Sequence, residues 1–210
     1  MRKTPFILGI CGGSGSGKTF LLHQLIQRLP SDQVTVISQD HYYKKLEEQH
    51  REPDGLVNFD HPDSVRLDLL LADIHQLISG QPIELEEYVF NNPHASPSIH
   101  LLHPAPLIIV EGLFIFHKPE IAQLFDLKVF VEADEHRRLA RRLVRDIQER
   151  GYSMESILRD YERFVAPMYQ QFIAPAKDIC DLIIPNNGHL HKPVQVMVDY
   201  LTQVLKRFQA

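Results

Sequence analysis

The chain has 210 residues, 44% of them hydrophobic and 23% charged, and its 22 Lys+Arg against 27 Asp+Glu leave a net charge of -5. That length suits one domain with a well-buried core and room for a small lid or inserted hairpin. The acidic balance argues against general nucleic-acid binding, no apolar run approaches a membrane span, and the two cysteines, Cys11 and Cys180, each inside an apolar run, read as buried free thiols of a reducing cytosol.

The first residues are basic and then apolar but carry no cleavage site, so Phe6 to Cys11 reads as a buried strand and not as a signal peptide. Gly12-Gly13-Ser14-Gly15-Ser16-Gly17-Lys18-Thr19 follows at once, with the spacing G-x-x-x-x-G-K-T. Its glycines let successive backbone N–H groups turn inward around phosphates, and the helix behind presents its positive dipole end to the same anion. Lys18 is placed to reach the β- and γ-phosphates of a nucleoside triphosphate and Thr19 to bind magnesium. Leu21, Leu22, Leu25, Ile26 and Leu29 then recur at helical spacing until Pro30. A Gly/Ser linker is the competing reading of the motif, but a linker has no need of a Lys-Thr pair between a strand and a helix.

Val34 to Ser38 predicts a second strand, with Asp40 just past its carboxyl end, where open α/β sheets bind ligands. A carboxylate there takes a proton from an attacking hydroxyl or binds magnesium through water; the alternative is a helix cap. Pro62 and Asp63 are expected to open a helix whose apolar positions, Val65 to Ile78, run to a stop at Gly80. Residues 81–105 read as a β-hairpin insertion over the active site; its His94, His100 and His103 fit no standard zinc spacing and read as loop histidines.

Leu107 to Val110 is a central parallel strand ending in Glu111-Gly112, an acid placed beside the Thr19 magnesium or simply capping a buried strand. Strands at Leu127 to Val131 and Asp181 to Ile184, with a closing helix from Val194 to about Phe208, complete an α/β pattern with a parallel sheet. Residues 134–151 carry six arginines in an otherwise acidic chain. At 100° per residue Arg138, Arg141, Arg142 and Arg145 form one stripe, with Leu139, Ala140, Leu143, Val144 and Ile147 on the other sides, so one face is expected to pack and the other to be cationic. The cationic face reads as a lid over phosphate or as a solvated face partly neutralised by Asp146 and Glu149, and Gly151 as a hinge.

Taken in order, GGSGSGKT, SQDHYY, NFDHPDS, VEGLF, RLARRLVRDIQERG and FIAPAKDICDLIIP resemble the uridine kinase family of P-loop kinases from about Ile7 to Asn187. The resemblance implies a single P-loop kinase domain over residues 1–210, with an insertion at 81–105 and a lid at about 134–152. It implies ATP-dependent phosphorylation of a primary hydroxyl, by default the 5′-hydroxyl of uridine or cytidine, with Mg2+, in a cytoplasmic homotetramer. Asp40 would be the catalytic base, with Lys18, Arg145 and Arg150 at the phosphates and Thr19 and Glu111 at the metal. Asp60 and Arg142 would hold the ribose hydroxyls, Tyr43, Phe59, Tyr88 and His94 the nucleoside, and the adenine would lie near Asn186 to His189.

The base-reading positions depart from the family pattern. Val89 stands in its Y-D-F segment, Pro93 where the histidine belongs with His94 one place late, Tyr152 in place of an arginine and Asp160 in place of a glutamine. A kinase of the same scaffold acting on a sugar phosphate or pantothenate, or a nucleotide-gated switch, are the alternatives. The absence of N-K-x-D and D-x-x-G counts against the switch, and the absence of H-R-D and D-F-G against a protein kinase.

Overall fold

In the computed structural model, which describes residues 4–90 and 97–209, seven strands form two sheets. The larger is parallel, in the order β2 (Val34–Ser38), β5 (Leu107–Gly112), β1 (Phe6–Cys11), β6 (Leu127–Glu132) and β7 (Leu182–Pro185). Every residue of β5 is buried, as a continuous LIIVEG run at the sheet centre demands. Apolar side chains alternate between the two faces. Leu8, Ile10, Ile109, Val129 and Val131 meet α1 (Lys18–Ile26) and the closing α7 (His191–Gln209), while Ile7, Ile108, Val110 and Phe130 meet α2 (Leu67–Ser79) and the segment after β5.

The hairpin is present as β3 (Ile83–Glu86) paired antiparallel with β4 (Ile99–Leu102), and the IELE alternation puts Ile83 and Leu85 into the core. Asn91, Asn92, Pro93 and His94 lie outside the described residues. After β5 come the short α3 (Pro119–Ala122), then β6, α4 (Glu135–Gln148) and α5 (Met154–Asp160). The chain continues through two π turns, Tyr161–Val165 and Tyr169–Ile173, on either side of α6 (Ala166–Met168).

Two expectations are corrected. The helix does not open at Pro62: Pro62–Ser64 is a 3-10 turn, Val65 bridges Tyr43, and α2 starts at Leu67. Lys44 N–H donates to the Ser64 carbonyl and Arg66 N–H to that of Tyr42, so a ladder to a distant segment outcompetes the local helix pattern. The packed face of α4 is also the reverse of the one expected. Arg138 is buried while Val144 and Ile147 are 56% and 40% exposed, because the helix docks on polar loop backbone and carboxylates rather than on apolar core. Cys180 is only half-buried and Cys11 fully so, yet burial pushes both thiols up to about 12.

Candidate active site

The parallel register brings three loops together at the carboxyl edge. Cys11 lies level with Gly112 and Ser38 with Glu111, so the loop after β1, the turn after β2 and the tip of β5 face one another. The glycine loop turns at Gly15 and Gly17, both with positive φ (73° and 99°), where L side chains are disfavoured. A Cβ at Gly15 would also strike the Arg138 carbonyl, and one at Gly17 the Asn186 amide. Lys18 Nζ, buried, donates to the Gly13 carbonyl at 3.3 Å, folded back across the loop it serves.

Glu111 is buried, and its carboxylate accepts the Ser38 hydroxyl at 2.6 Å. Burial first, and the nearby Asp40 charge second, raise its pKa, while Lys18 opposes them. Asp40 follows Ser38, whose hydroxyl oxygen accepts the Asp40 N–H at 3.3 Å and starts the turn Gln39–Tyr42. Hence the capping role weighed for Asp40 is filled by Ser38, and the Asp40 carboxylate lines the cavity.

The arginine helix closes the opposite wall. Arg142 Nη1 donates to Ser14 Oγ at 3.2 Å and to Asp60 Oδ1 at 3.3 Å, and Arg145 Nη2 reaches Ser14 Oγ at 3.5 Å. The carboxylate of Asp146, 2% exposed, is what holds the array. Its Oδ2 pairs with Arg142 Nε at 3.2 Å, and its Oδ1 with Arg145 Nε at 2.8 Å and Arg150 Nη1 at 3.4 Å. Arg150 is also crowded: burial first, and then the charge of Arg145, lower its pKa.

Further back, Arg138 stacks 3.7 Å over the Tyr169 ring with its Nε and Nη1 buried and without hydrogen-bond partners, directly under Gly13. Arg141 binds the carbonyls of Gly15, Ser16 and Asn186. Asn186 Nδ2 donates to Ser16 O at 2.7 Å, so the segment after β7 rests on the glycine loop; it also borders a second hollow with Phe20, Gln24 and His189.

These groups enclose a cavity of about 190 Å³. Lys18, Thr19, Asp40 and Glu111 line it with Arg142, Arg145 and Arg150, as do Tyr43, Phe59, Phe90, Tyr152, Asp160 and Phe164, and Arg150 stacks 4.0 Å over the Phe90 ring where the cationic and aromatic walls meet. Tyr88 does not line it; its ring stands behind, 5.5 Å from Tyr43 and 4.8 Å from Phe90, and Phe90 takes the wall position. Sequence reasoning did not single out Ser38, Phe90 or the governing role of Asp146. The last was partly legible: Asp146 falls four residues after Arg142 and four before Arg150, a spacing that on a helix puts an acid between two cations.

The family model of the phosphoribulokinase/uridine kinase family matches residues 7–191. Among curated relatives, the uridine kinase of Anoxybacillus flavithermus is 36% identical over 207 residues, covering 99% of this chain and 98% of its own. The uridine kinase of Brevibacillus brevis is 42% identical over 185 residues, 88% and 86% of the two chains. Among solved structures, phosphoribulokinase from Rhodobacter spheroides aligns with a TM-score of 0.66 at 20% identity, covering 88% of this chain and 71% of that one. D-glycerate 3-kinase from Cryptococcus neoformans aligns at 0.56 and 17%, covering 80% and 79%. At those identities the structures establish the shared fold.

Proposed function

The chain belongs to the phosphoribulokinase/uridine kinase family, and from that premise we propose that it transfers the γ-phosphoryl group of ATP to the 5′-hydroxyl of a pyrimidine nucleoside, uridine by default. It is an ATP-dependent kinase. The observation that carries the acceptor reading is the Asp60–Arg142 pair, 3.3 Å apart on the wall of the cavity that Asp40 and Lys18 also line. A carboxylate that accepts beside a guanidinium that donates suits the adjacent hydroxyls of a ribose. Rings from Tyr43, Phe59 and Phe90 supply a stacking surface beyond it.

In the mechanism these residues support, the glycine loop and Lys18 hold the triphosphate, and Asp40 accepts the proton of the attacking hydroxyl as its oxygen bonds to the γ-phosphorus. The bond from phosphorus to the β–γ bridging oxygen breaks, and ADP leaves. Lys18, Arg145 and Arg150 stabilise the charge on the transferring group. Thr19 hydroxyl and the Ser38-held Glu111 carboxylate are hard oxygen donors, a set that fits Mg2+, which neutralises β- and γ-phosphate charge when bound. With α4 as the lid, the hinge falls at Gly151, whose φ is 69° and whose Cβ direction is open.

Discrimination among bases is proposed to be weaker than, or different from, that of the family. Tyr152 and Asp160 line the cavity where the family pattern has an arginine and a glutamine, and a carboxylate accepts hydrogen bonds but does not donate as an amide does. The test is kcat/KM for uridine, cytidine, purine nucleosides, free pentoses, sugar phosphates and pantothenate, in the parent and in His94→Ala. Activity on a sugar phosphate or pantothenate and none on nucleosides would leave the kinase standing and overturn the acceptor. A strong uridine preference that survives His94→Ala would overturn the assignment of His94. Cytoplasmic location and a homotetramer are further proposals from the family resemblance, the latter read by light scattering; no described helix is long and apolar enough to cross a membrane.

A further inference from the structure

Outside the kinase cavity, the loop between β2 and α2 gathers a second group of ligating side chains. His50, His61 and Asp63 each bring one ligand atom within 4.8 Å of the others, the only such group of three among the described residues. Asp63 Oδ2 lies 3.6 Å from His61 Nδ1 and 4.0 Å from His50 Nδ1. A tetrahedral zinc ion with bonds of about 2.0–2.1 Å sets its ligand atoms roughly 3.3 Å apart. The two Asp63 separations exceed that spacing by less than an ångström, and all the ligand atoms lie within 4.8 Å of one another, so the side chains must draw together to bind.

Three features go beyond proximity. His61 Nδ1 accepts the Asp63 N–H at 3.1 Å, so that nitrogen is unprotonated and carries a lone pair. The opposite nitrogen of His50, Nε2, lies at ion-pair distance, 3.9 Å, from Glu52 Oε1, which also accepts the Asn58 side-chain amide at 2.6 Å, so a carboxylate fixed by Asn58 stands behind the ring. The two rings also stack at 3.8 Å, 9° from parallel, a contact that two imidazolium ions would not tolerate. None of the three residues lines the kinase cavity, so phosphoryl transfer leaves the cluster without a task.

We propose that His50, His61 and Asp63 form a binding site for a borderline divalent transition-metal ion, zinc by preference, with water completing its shell. Two imidazoles among three ligands select such an ion over Mg2+ or Ca2+. Binding splays the stacked rings and displaces the Asp63 N–H from His61. The ion joins the two ends of a loop already cross-tied by Asn58 N–H to the His50 carbonyl and His61 N–H to the Asn58 carbonyl. Because Phe59 and Asp60 lie between these ends and line the cavity, the metal clamps the acceptor wall from behind.

The test titrates the full chain, free of any affinity tag, with Co2+ alone and then with Zn2+. The expected result is one Co2+ per chain with intense visible ligand-field bands, displaced by Zn2+ and unaffected by Mg2+, and a melting temperature that rises with Zn2+. His50→Ala and Asp63→Asn should each lose the bands, Glu52→Gln should weaken binding about tenfold, and His100→Ala/His103→Ala should bind as the parent does. The Asp63 side chain is 71% exposed, so its substitution keeps the fold and the measurement intact. Absence of saturable binding in the parent, binding that survives both His50→Ala and Asp63→Asn, or binding lost in the His100/His103 variant would overturn the site.

Discussion

At the proposed phosphate end of the cavity every cation has a protein partner: Lys18 the Gly13 carbonyl of its own loop, Arg142 Ser14 and Asp60 from distant loops, and Arg145 and Arg150 the buried Asp146 of their own segment. At the acceptor end the wall is mainly rings and aliphatic side chains, with Tyr43 6.3 Å from Phe59 and 5.3 Å from Phe90, and its outermost carboxylate, Asp160, is taken up by its neighbour Arg159 at 3.1 Å. Directional, charge-assisted contacts fix one end, and largely non-directional packing shapes the other. The chemistry is thus specified by many mutually dependent groups, and the identity of the acceptor by few. Substitutions at the first end should be severe and shared by all acceptors; those at the second should be mild and acceptor-specific.

The sharpest break of that contrast is Lys18→Ala, expected to lower kcat/KM by roughly 10³-fold for every acceptor by removing a cation that bridges two phosphates. Near-normal turnover would sink the glycine-loop assignment. Asp40→Asn keeps size but accepts no proton, and kcat is expected to fall by about 10²–10³-fold while ATP affinity measured by calorimetry is unchanged. Lost ATP affinity with high residual turnover would instead make Asp40 a nucleotide or metal ligand.

Next in size is Asp146→Asn, which removes the charge that holds three guanidinium groups. We expect kcat/KM to drop by about 10–100-fold through misplacement of the arginines. Asp146→Glu should recover part of the loss, and equal activity in all three proteins would show that the array needs no hub. The smallest effect belongs to the acceptor end. Tyr152→Arg/Asp160→Gln should shift the ratio of kcat/KM between uridine and purine nucleosides by on the order of 1–3 kcal/mol per restored contact, with little change for the favoured substrate. A uniform change across acceptors would contradict the division between the ends.

The same division explains what could be read from the sequence. The glycine motif, Asp40, Glu111 and the five strands of the main sheet follow from local spacing and apolar runs, and each lies where it was expected. The start of α2 and the docked face of α4 were misread because tertiary partners decided them: Tyr43 pairs with Val65, and Ser14 and Asp60 draw the arginines inward. A hydrophobic pattern does not report such partners, since it records which residues avoid water and not which ones find a counter-charge. Tyr88 and Phe90, two residues apart in the segment after β3, could not be ranked from sequence, and Phe90 is the one on the wall.

The docked face of α4 has a thermodynamic consequence. Arg142, Arg145 and Arg150 crowd around the carboxylates of Asp60 and Asp146, and after burial it is the charge of Arg145 that lowers the Arg150 pKa, a like-charge repulsion that these acids do not wholly cancel. Any tetrahedral oxyanion that settles in the glycine loop discharges it. Sulfate or inorganic phosphate alone should therefore raise the melting temperature, more so than chloride at equal ionic strength, and this gain should shrink in Arg145→Ala.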